Sequence, residues 1–239
     1  MPLNKCQGNM YPWVTHTWNP IRGRCPHECS YCYMKRLVHG EPRFIESEMK
    51  INLGPDRRIF VGSSIDLFAD AILQKFNSAM SEILRKCRNS PTNQYLFQSK
   101  NPKGMWEFYQ ALPDDSILGT TLESNRDHPS MSLAPDIEDR VGWMEHFWHL
   151  GFTGMISIEP ILDFDLKKFI DLIKRCAPLF VSIGADSKGH HLPEPSAEKV
   201  LDLIEALKKV TEVRIKDNLV RIIGPGRPRV NKIERDGVA

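Results

Sequence analysis

Short β-rich, nearly continuous apolar runs alternate with amphipathic helical patterns along most of this chain, and that alternation limits its fold more than any other feature. The runs fall at residues 59–63, 95–100, 117–122, 155–159, 180–184 and 213–216, with an earlier one near 13–17. Their character is that of strands buried on both faces. Between them, residues 67–86 place Phe68, Ile72, Phe76, Met80, Ile83 and Leu84 at helical spacing, with Asp66 as the expected cap. Asn101, followed by Pro102, is expected to cap the next helix. Further helices are expected over 135–150, stopping at Gly151, over 165–176, and over 196–210 after Pro195. Strand then helix, repeated about six times, defines a parallel α/β fold whose right-handed crossovers allow a barrel or an open sheet.

The chain has 239 residues, 41% of them hydrophobic, which suits one barrel-sized domain with a full core and no disulfide staples. No apolar run approaches the roughly 20 residues needed to cross a membrane, and the N-terminus has no signal-peptide core. The expected compartment is the cytoplasm, of a host cell if the chain is phage-encoded. A net charge of +2, from 32 basic and 30 acidic residues, neither demands nor excludes nucleic acid. A domain over 1–223 is expected, followed by a basic surface tail over 224–239. The basic residues toward this end are Arg221, Arg227, Arg229, Lys232 and Arg235.

Three of the six cysteines crowd together in Trp18-Asn-Pro-Ile-Arg-Gly-Arg-Cys25-Pro-His-Glu-Cys29-Ser-Tyr-Cys32-Tyr33. In a chain of cytosolic character such a cluster reads as a metal site before disulfides. Three thiolates on one compact loop can each take one iron of a cubane and leave the fourth iron open to a small molecule. The competing reading is structural zinc, with His27 or the distant Cys6 as fourth ligand. No second Cys pair supports it. A zinc- or Fe–S-stabilised nucleic-acid-binding module without catalysis is the corresponding non-enzymatic alternative. Cys87 and Cys176 close helical patterns and read as packing residues.

The spacing C-x3-C-x-(aromatic)-C, with Tyr31 as the aromatic, resembles the signature of the radical S-adenosylmethionine (SAM) superfamily. The wider WNPIRGRC…CSYCY, with IFVGSSIDLF, LFQSKNP, ILGTTLESN and ISIEPIL, resembles a phage- and bacteria-associated family within it, distantly similar to spore photoproduct lyase. The resemblance implies a partial (β/α)6-type TIM barrel of parallel strands. It also implies a [4Fe–4S] cluster on Cys25, Cys29 and Cys32, with SAM chelating the open iron. Reduction by a flavodoxin- or ferredoxin-like one-electron donor would release a 5′-deoxyadenosyl radical. The implied substrate is a nucleobase in a nucleotide or in DNA, such as a modified thymine remodelled by a phage. A peptide or small metabolite is the alternative.

Ligands of parallel α/β folds sit at the C-terminal ends of the strands, and polar residues recur there. Gly62, Ser63, Ser64 and Asp66 follow one strand, where superfamily members carry a Gly-Gly-Glu-like segment for the SAM amino group. Lys100, after Ser99, is a candidate for the SAM carboxylate or a substrate anion. Thr120, Thr121 and Ser124 accompany Glu123 and Asn125, the candidates for ribose hydroxyls. Glu159, after Ser157, ends a very apolar strand and should have a partner. Gly184, Ala185 and Asp186 lead into a loop with His190 and His191, read as substrate-facing. Lys216 and Asp217 close the last strand. Tyr33 and Trp18 are expected to pack around the cluster, and Trp13 or Trp18 to offer a ring to an extruded base.

Overall fold

Alternate residues of each strand point to opposite faces of a sheet, and here both faces are apolar, so the sheet needs cover on each side. The computed structural model describes residues 3–6, 10–37 and 40–225. Residues 226–239, and with them Arg227, Arg229, Lys232 and Arg235 of the expected tail, lie outside the described residues. Arg221 is described and pairs with Glu194.

The strands are β1 (Asn4–Lys5), β2 (His16–Trp18), β3 (Ile21–Arg22), β4 (Arg43–Phe44), β5 (Arg58–Val61), β6 (Gln94–Gln98), β7 (Ser116–Thr121), β8 (Thr153–Ile158), β9 (Phe180–Ile183) and β10 (Glu212–Ile215). The helices are α1 (Glu46–Met49), α2 (Asp70–Arg88), α3 (Pro102–Trp106), α4 (Ile137–His149), α5 (Leu166–Arg175), α6 (Ala197–Leu207) and α7 (Val220–Ile223). One sheet has the order β1-β2-β5-β6-β7-β8-β9-β10, and β3 and β4 form a separate pair. Every neighbouring pair in the large sheet is parallel except β1 with β2. From β5 onward each crossover carries a helix, α2 to α6 in turn. Among the described residues no helix is long and apolar enough to cross a membrane.

The two faces separate into two cores. Ile59, Val61, Tyr95, Phe97, Leu118, Ile156, Ile158, Val181 and Ile183 pack outward against the helices. Their alternates Leu96, Ile117, Met155 and Phe180 gather with Tyr11, Trp13 and Val14, and Phe60 packs against them. Tyr11 lies 6.3 Å from the Phe60 ring, Trp13 lies 5.9 Å from Tyr11, and Phe180 lies 5.4 Å from Trp13. Those rings bridge β5 to β9, strands that would stand about 19 Å apart in a flat sheet. The sheet is therefore curled around the 10–14 segment, which fills the floor of a partial barrel. β1 and β10 stay unpaired with each other, so the barrel is open.

The strand and helix expectations hold with shifted ends, and the differences have physical causes. The strand expected near 13–17 is β2 and begins at His16, because Trp13 and Val14 are used as floor. Neither Trp13 nor Trp18 is at the mouth. Trp13 is buried in the floor, and Trp18 is fully buried in the outer core with its indole N–H donated to the Glu48 carbonyl. The helix expected from residue 67 starts at Asp70 with Ala69 at its cap position, so Asp66 does not cap it. Asn101 occupies the cap position of α3 but makes no cap bond, because its amide donates to Phe68 and Asp70. Cys87 and Cys176 are buried in the outer core.

Removing the floor should cost as much as any core truncation. Trp13→Ala is expected to lose about 3–4 kcal/mol of unfolding free energy, read as a lower urea midpoint with an unchanged slope.

Candidate functional site

The cysteine loop leaves the barrel after β3 and returns through β4, so the two-stranded pair clamps its base. Tight turns shape it: Glu28 N–H donates to the Cys25 carbonyl at 3.3 Å and Cys32 N–H to the Cys29 carbonyl at 3.1 Å. Glu28 takes a left-handed backbone, φ 51°, to make the first of these turns. A short 3-10 turn, Tyr33–Arg36, ends the segment. Cys29 is buried, whereas Cys25 and Cys32 are half-buried.

All three thiols line one cavity of about 470 Å³. Its other walls are strand ends: Gly62 to Ser64 after β5, Ser99 and Lys100 after β6, Thr121 of β7, Ser157 and Glu159 at β8, Ala185 and Asp186 after β9, and Lys216 after β10. Tyr11 and Phe60 close it below. Among the described residues no three His, Cys, Asp or Glu side chains already converge into a metal cage. The donor set nonetheless suits an iron–sulfur cluster, because three cysteine sulfurs carried on one loop open onto the same cavity. Burial, with the Asp66 carboxylate next, pushes the Cys25 thiol up to about 12.

Asp66 ties this loop to the barrel. Its carboxylate accepts from Ser99 Oγ at 2.7 Å, from Lys100 N–H at 2.8 Å and from Phe68 N–H at 3.0 Å, and it meets His27 Nε2 at 2.8 Å. Burial raises its pKa, but His27 and these donors outweigh that and hold it below the ordinary value. His27 is thus committed to Asp66. Cys6 directly follows β1, donates its N–H to the Thr15 carbonyl, packs on the floor core and does not line the cavity.

A second buried carboxylate stands behind the wall. Glu123 accepts from Lys100 Nζ, from Arg140 Nη1 of α4 at 2.9 Å, and from the hydroxyl of Tyr31. Lys100 Nζ also lies 5.4 Å from the Tyr31 ring centre. Desolvation raises the Glu123 pKa, but Lys100 and Arg140 prevail and bring it to about 2. Glu123 does not line the cavity, whereas Lys100 and Tyr31 do. Asn125 also lies outside it, exchanging bonds with Asp165, the residue before α5, at 2.6 and 3.2 Å.

On the far wall Glu159 accepts from Lys216 Nζ at 2.6 Å and from Asn218 at 3.1 Å. A Cβ at Gly184 would come within 2.9 Å of the Glu159 carboxyl, so glycine there admits the side chain. Lys216 Nζ lies 4.9 Å from the Tyr11 ring centre, and the Tyr11 hydroxyl donates to Gln98 at 2.9 Å and meets Ser157 Oγ at 2.8 Å. Gly62 has φ 82°, a left-handed turn that only glycine adopts freely. The next residues then face Asn19, which accepts from Ser63 Oγ and Ser64 N–H. Ser64 Oγ is buried with no hydrogen-bond partner. Asp186 holds the following loop by bonds to Lys188 N–H and to His190. His191, Asp217 and Ser124 do not line the cavity.

Tyr11, Gln98 and Arg140 were not foreseen. Tyr11 lies in a segment without periodicity, and Arg140 reads as the polar face of its helix. Only the polar end of the strand at Gln98 carries a signal.

A curled parallel sheet with a ligand-sized cavity at the C-terminal ends of its strands defines a partial TIM barrel. No family model matches the chain, and no curated protein matches it in sequence. Solved structures do match. A point variant of spore photoproduct lyase aligns with TM-score 0.64 and 9% identity over 86% of this chain and 78% of that one. A double variant of the lyase with bound AdoMet and dinucleoside spore photoproduct gives 0.57 and 9% over 85% and 64%. SuiB of Streptococcus suis bound to S-adenosylmethionine gives 0.58 and 12% over 87% of this chain. The chain spans about half of SuiB, 52% of its length. At these identities the likeness is one of fold, and it is to the lyase toward which the sequence resemblance pointed.

The Glu123 network makes a pH-dependent contribution to stability. Its folded pKa of about 2 lies below the ordinary 4.5, so the contribution is complete above pH 4.5 and is lost as pH falls toward 2. Glu123→Gln is expected to destabilise by roughly 3 kcal/mol at pH 7. The gap to wild type should narrow between pH 4.5 and 2, as followed by denaturant titrations across that range.

Proposed function

We propose that this chain is a radical SAM enzyme, with Cys25, Cys29 and Cys32 holding a [4Fe–4S] cluster at the mouth of the barrel. The observation that carries the reading is three thiols on one wall of a cavity whose remaining walls are the C-terminal ends of the parallel strands. Held by these three cysteines and given one electron by a flavodoxin- or ferredoxin-like donor, the cluster would supply reductive cleavage of SAM to methionine and a 5′-deoxyadenosyl radical able to take hydrogen from substrate.

The chain's own residues bind, orient and enclose. Gly62, Ser63 and Ser64 receive the amino end of SAM, and the unsatisfied Ser64 hydroxyl supplies a hydrogen-bonding group there. Lys100 faces the SAM carboxylate, held in place by Glu123. Glu123 serves the site through Lys100 and Tyr31 rather than from the cavity surface, and Asn125 fixes the entry to α5. Glu159 and Lys216 form a polar patch opposite, suited to the substrate. Phe60 and the Tyr11 ring keep water from below.

The substrate in this reading is a nucleobase, presented by a nucleotide or by DNA and rearranged or modified. Two points support that class. A structural neighbour, spore photoproduct lyase, holds a dinucleoside. Tyr33, 44% exposed at the mouth, is the aromatic ring positioned to stack on a base.

The test is anaerobic reconstitution with iron and sulfide, reduction, addition of SAM and detection of 5′-deoxyadenosine by mass spectrometry. Wild type is expected to form it. Cys25→Ala, Cys29→Ala and Cys32→Ala are expected to lose at least 100-fold. Stoichiometric zinc, no cluster and intact SAM would overturn the proposal. Stimulation by a peptide or metabolite, and by no nucleoside or DNA, would overturn its substrate class alone.

A further inference from the structure

The connection from β7 to α4, residues 122–136, does more than close a crossover. It runs back over the cysteine loop and is stitched to it by backbone bonds. Ser30 N–H donates to the Met131 carbonyl at 2.7 Å, and Leu133 N–H donates to the His27 carbonyl at 2.8 Å. The strap is itself anchored at both ends. Arg126 pairs with Asp163 and Asp165, and Asp127 accepts from Ile137 N–H at 2.8 Å at the start of α4. Between those two stitches stands Ser132, whose Oγ lies 3.1 Å from Cys29 Sγ. Cys29 is the one cysteine of the three that is buried.

The direction of that bond follows from chemistry. Ser132 Oγ accepts from Ala134 N–H at 3.2 Å, so its hydrogen is left for Cys29 or for the His27 carbonyl, which is farther at 3.5 Å. A metal-bound cysteine is a thiolate and can only accept. With Cys29 ligating, the hydroxyl therefore donates to sulfur.

We infer that Ser132, carried on this strap, sets the reduction potential of the cluster by donating a hydrogen bond to the Cys29 thiolate. The inference rests on the cluster assignment proposed above. Adding one electron to a [4Fe–4S] centre, with no bond made or broken, increases negative charge on its sulfurs. A donor aimed at a ligating sulfur stabilises that charge and raises the potential. Ser132 is a positioning and tuning residue, because it touches a ligand and not the reacting atoms. Its effect is to make the centre easier for a one-electron donor protein to reduce.

The experiment is an EPR-monitored redox titration of the reconstituted full chain, with dithionite and mediator dyes. It compares wild type with Ser132→Ala, Ser132→Val, Ser132→Thr and the neighbouring Ser130→Ala. Midpoints shifted negative in Ser132→Ala and Ser132→Val, with Ser132→Thr and Ser130→Ala near wild type at equal iron and sulfide content, are the expected result. If only one hydroxyl-free variant holds a cluster, that one is compared with Ser132→Thr, which has the same shape as valine. Unchanged midpoints at equal loading overturn the inference and leave the cluster assignment standing. Loss of the cluster from both hydroxyl-free variants while Ser132→Thr keeps it also overturns it, since the hydroxyl would then serve assembly. A wild type that builds no cluster overturns both.

Discussion

A single buried carboxylate joins the two halves of this site. Asp66 leaves β5 behind and sits 9% exposed between the cysteine loop and the end of β6. A bare carboxylate in that place would carry a large desolvation cost. Three donors and His27 offset it, and together they come from three different parts of the site. His27 brings the loop, Ser99 and Lys100 bring the third strand of the parallel series, and Phe68 brings the approach to α2. The cysteines are therefore registered against the strand ends by hydrogen bonding, before any metal is considered. Lys100 extends the same register to Glu123, and Glu123 extends it to Tyr31 and α4.

The barrel interior is layered. The lower layer is dry, made by Tyr11, Trp13 and Val14 against Leu96, Ile117, Met155 and Phe180. The upper layer is polar, made by Gln98, Thr121, Ser157, Glu159 and Lys216. Tyr11 belongs to both, with its ring in the floor and its hydroxyl among the polar groups. The period-two alternation of parallel strands produces this division. The residue that faces inward near the start of a strand is apolar, and the one facing inward at its end is polar. Met155 and Ser157 on β8, and Phe180 and Ser182 on β9, follow the same rule.

What the sequence makes legible is what depends on local pattern. Apolar runs and helical spacing give the strand–helix alternation, because a strand buried on both faces and an amphipathic helix have different periods. The cysteines are legible because their spacing is tight, and Gly62, Ser63, Ser64, Lys100 and Glu159 because they follow apolar strands. Long-range pairing is not legible in this way. Nothing near Asp66 announces His27, and nothing in the pattern of α4 announces that Arg140 turns inward to Glu123. The assignment of Asp66 as a helix cap missed the role it takes because a local motif and a distant set of donors compete for the same oxygens. Trp13 and Trp18 look like stacking surfaces in the sequence, but both rings are spent on burial. Ser132 carries no signal, since its only distinction is the sulfur across from it.

The floor has a consequence for how the chain folds. Trp13 precedes every strand of the parallel series, and Phe180, the ring it packs against, opens β9, the last strand but one. Contacts of such sequence separation close slowly, because the intervening chain must first be organised. Until that contact closes, the inner faces of β5 to β8 lack part of the floor that covers them. The 10–14 segment and β9 therefore depend on each other for burial, and the floor is complete only when both are in place.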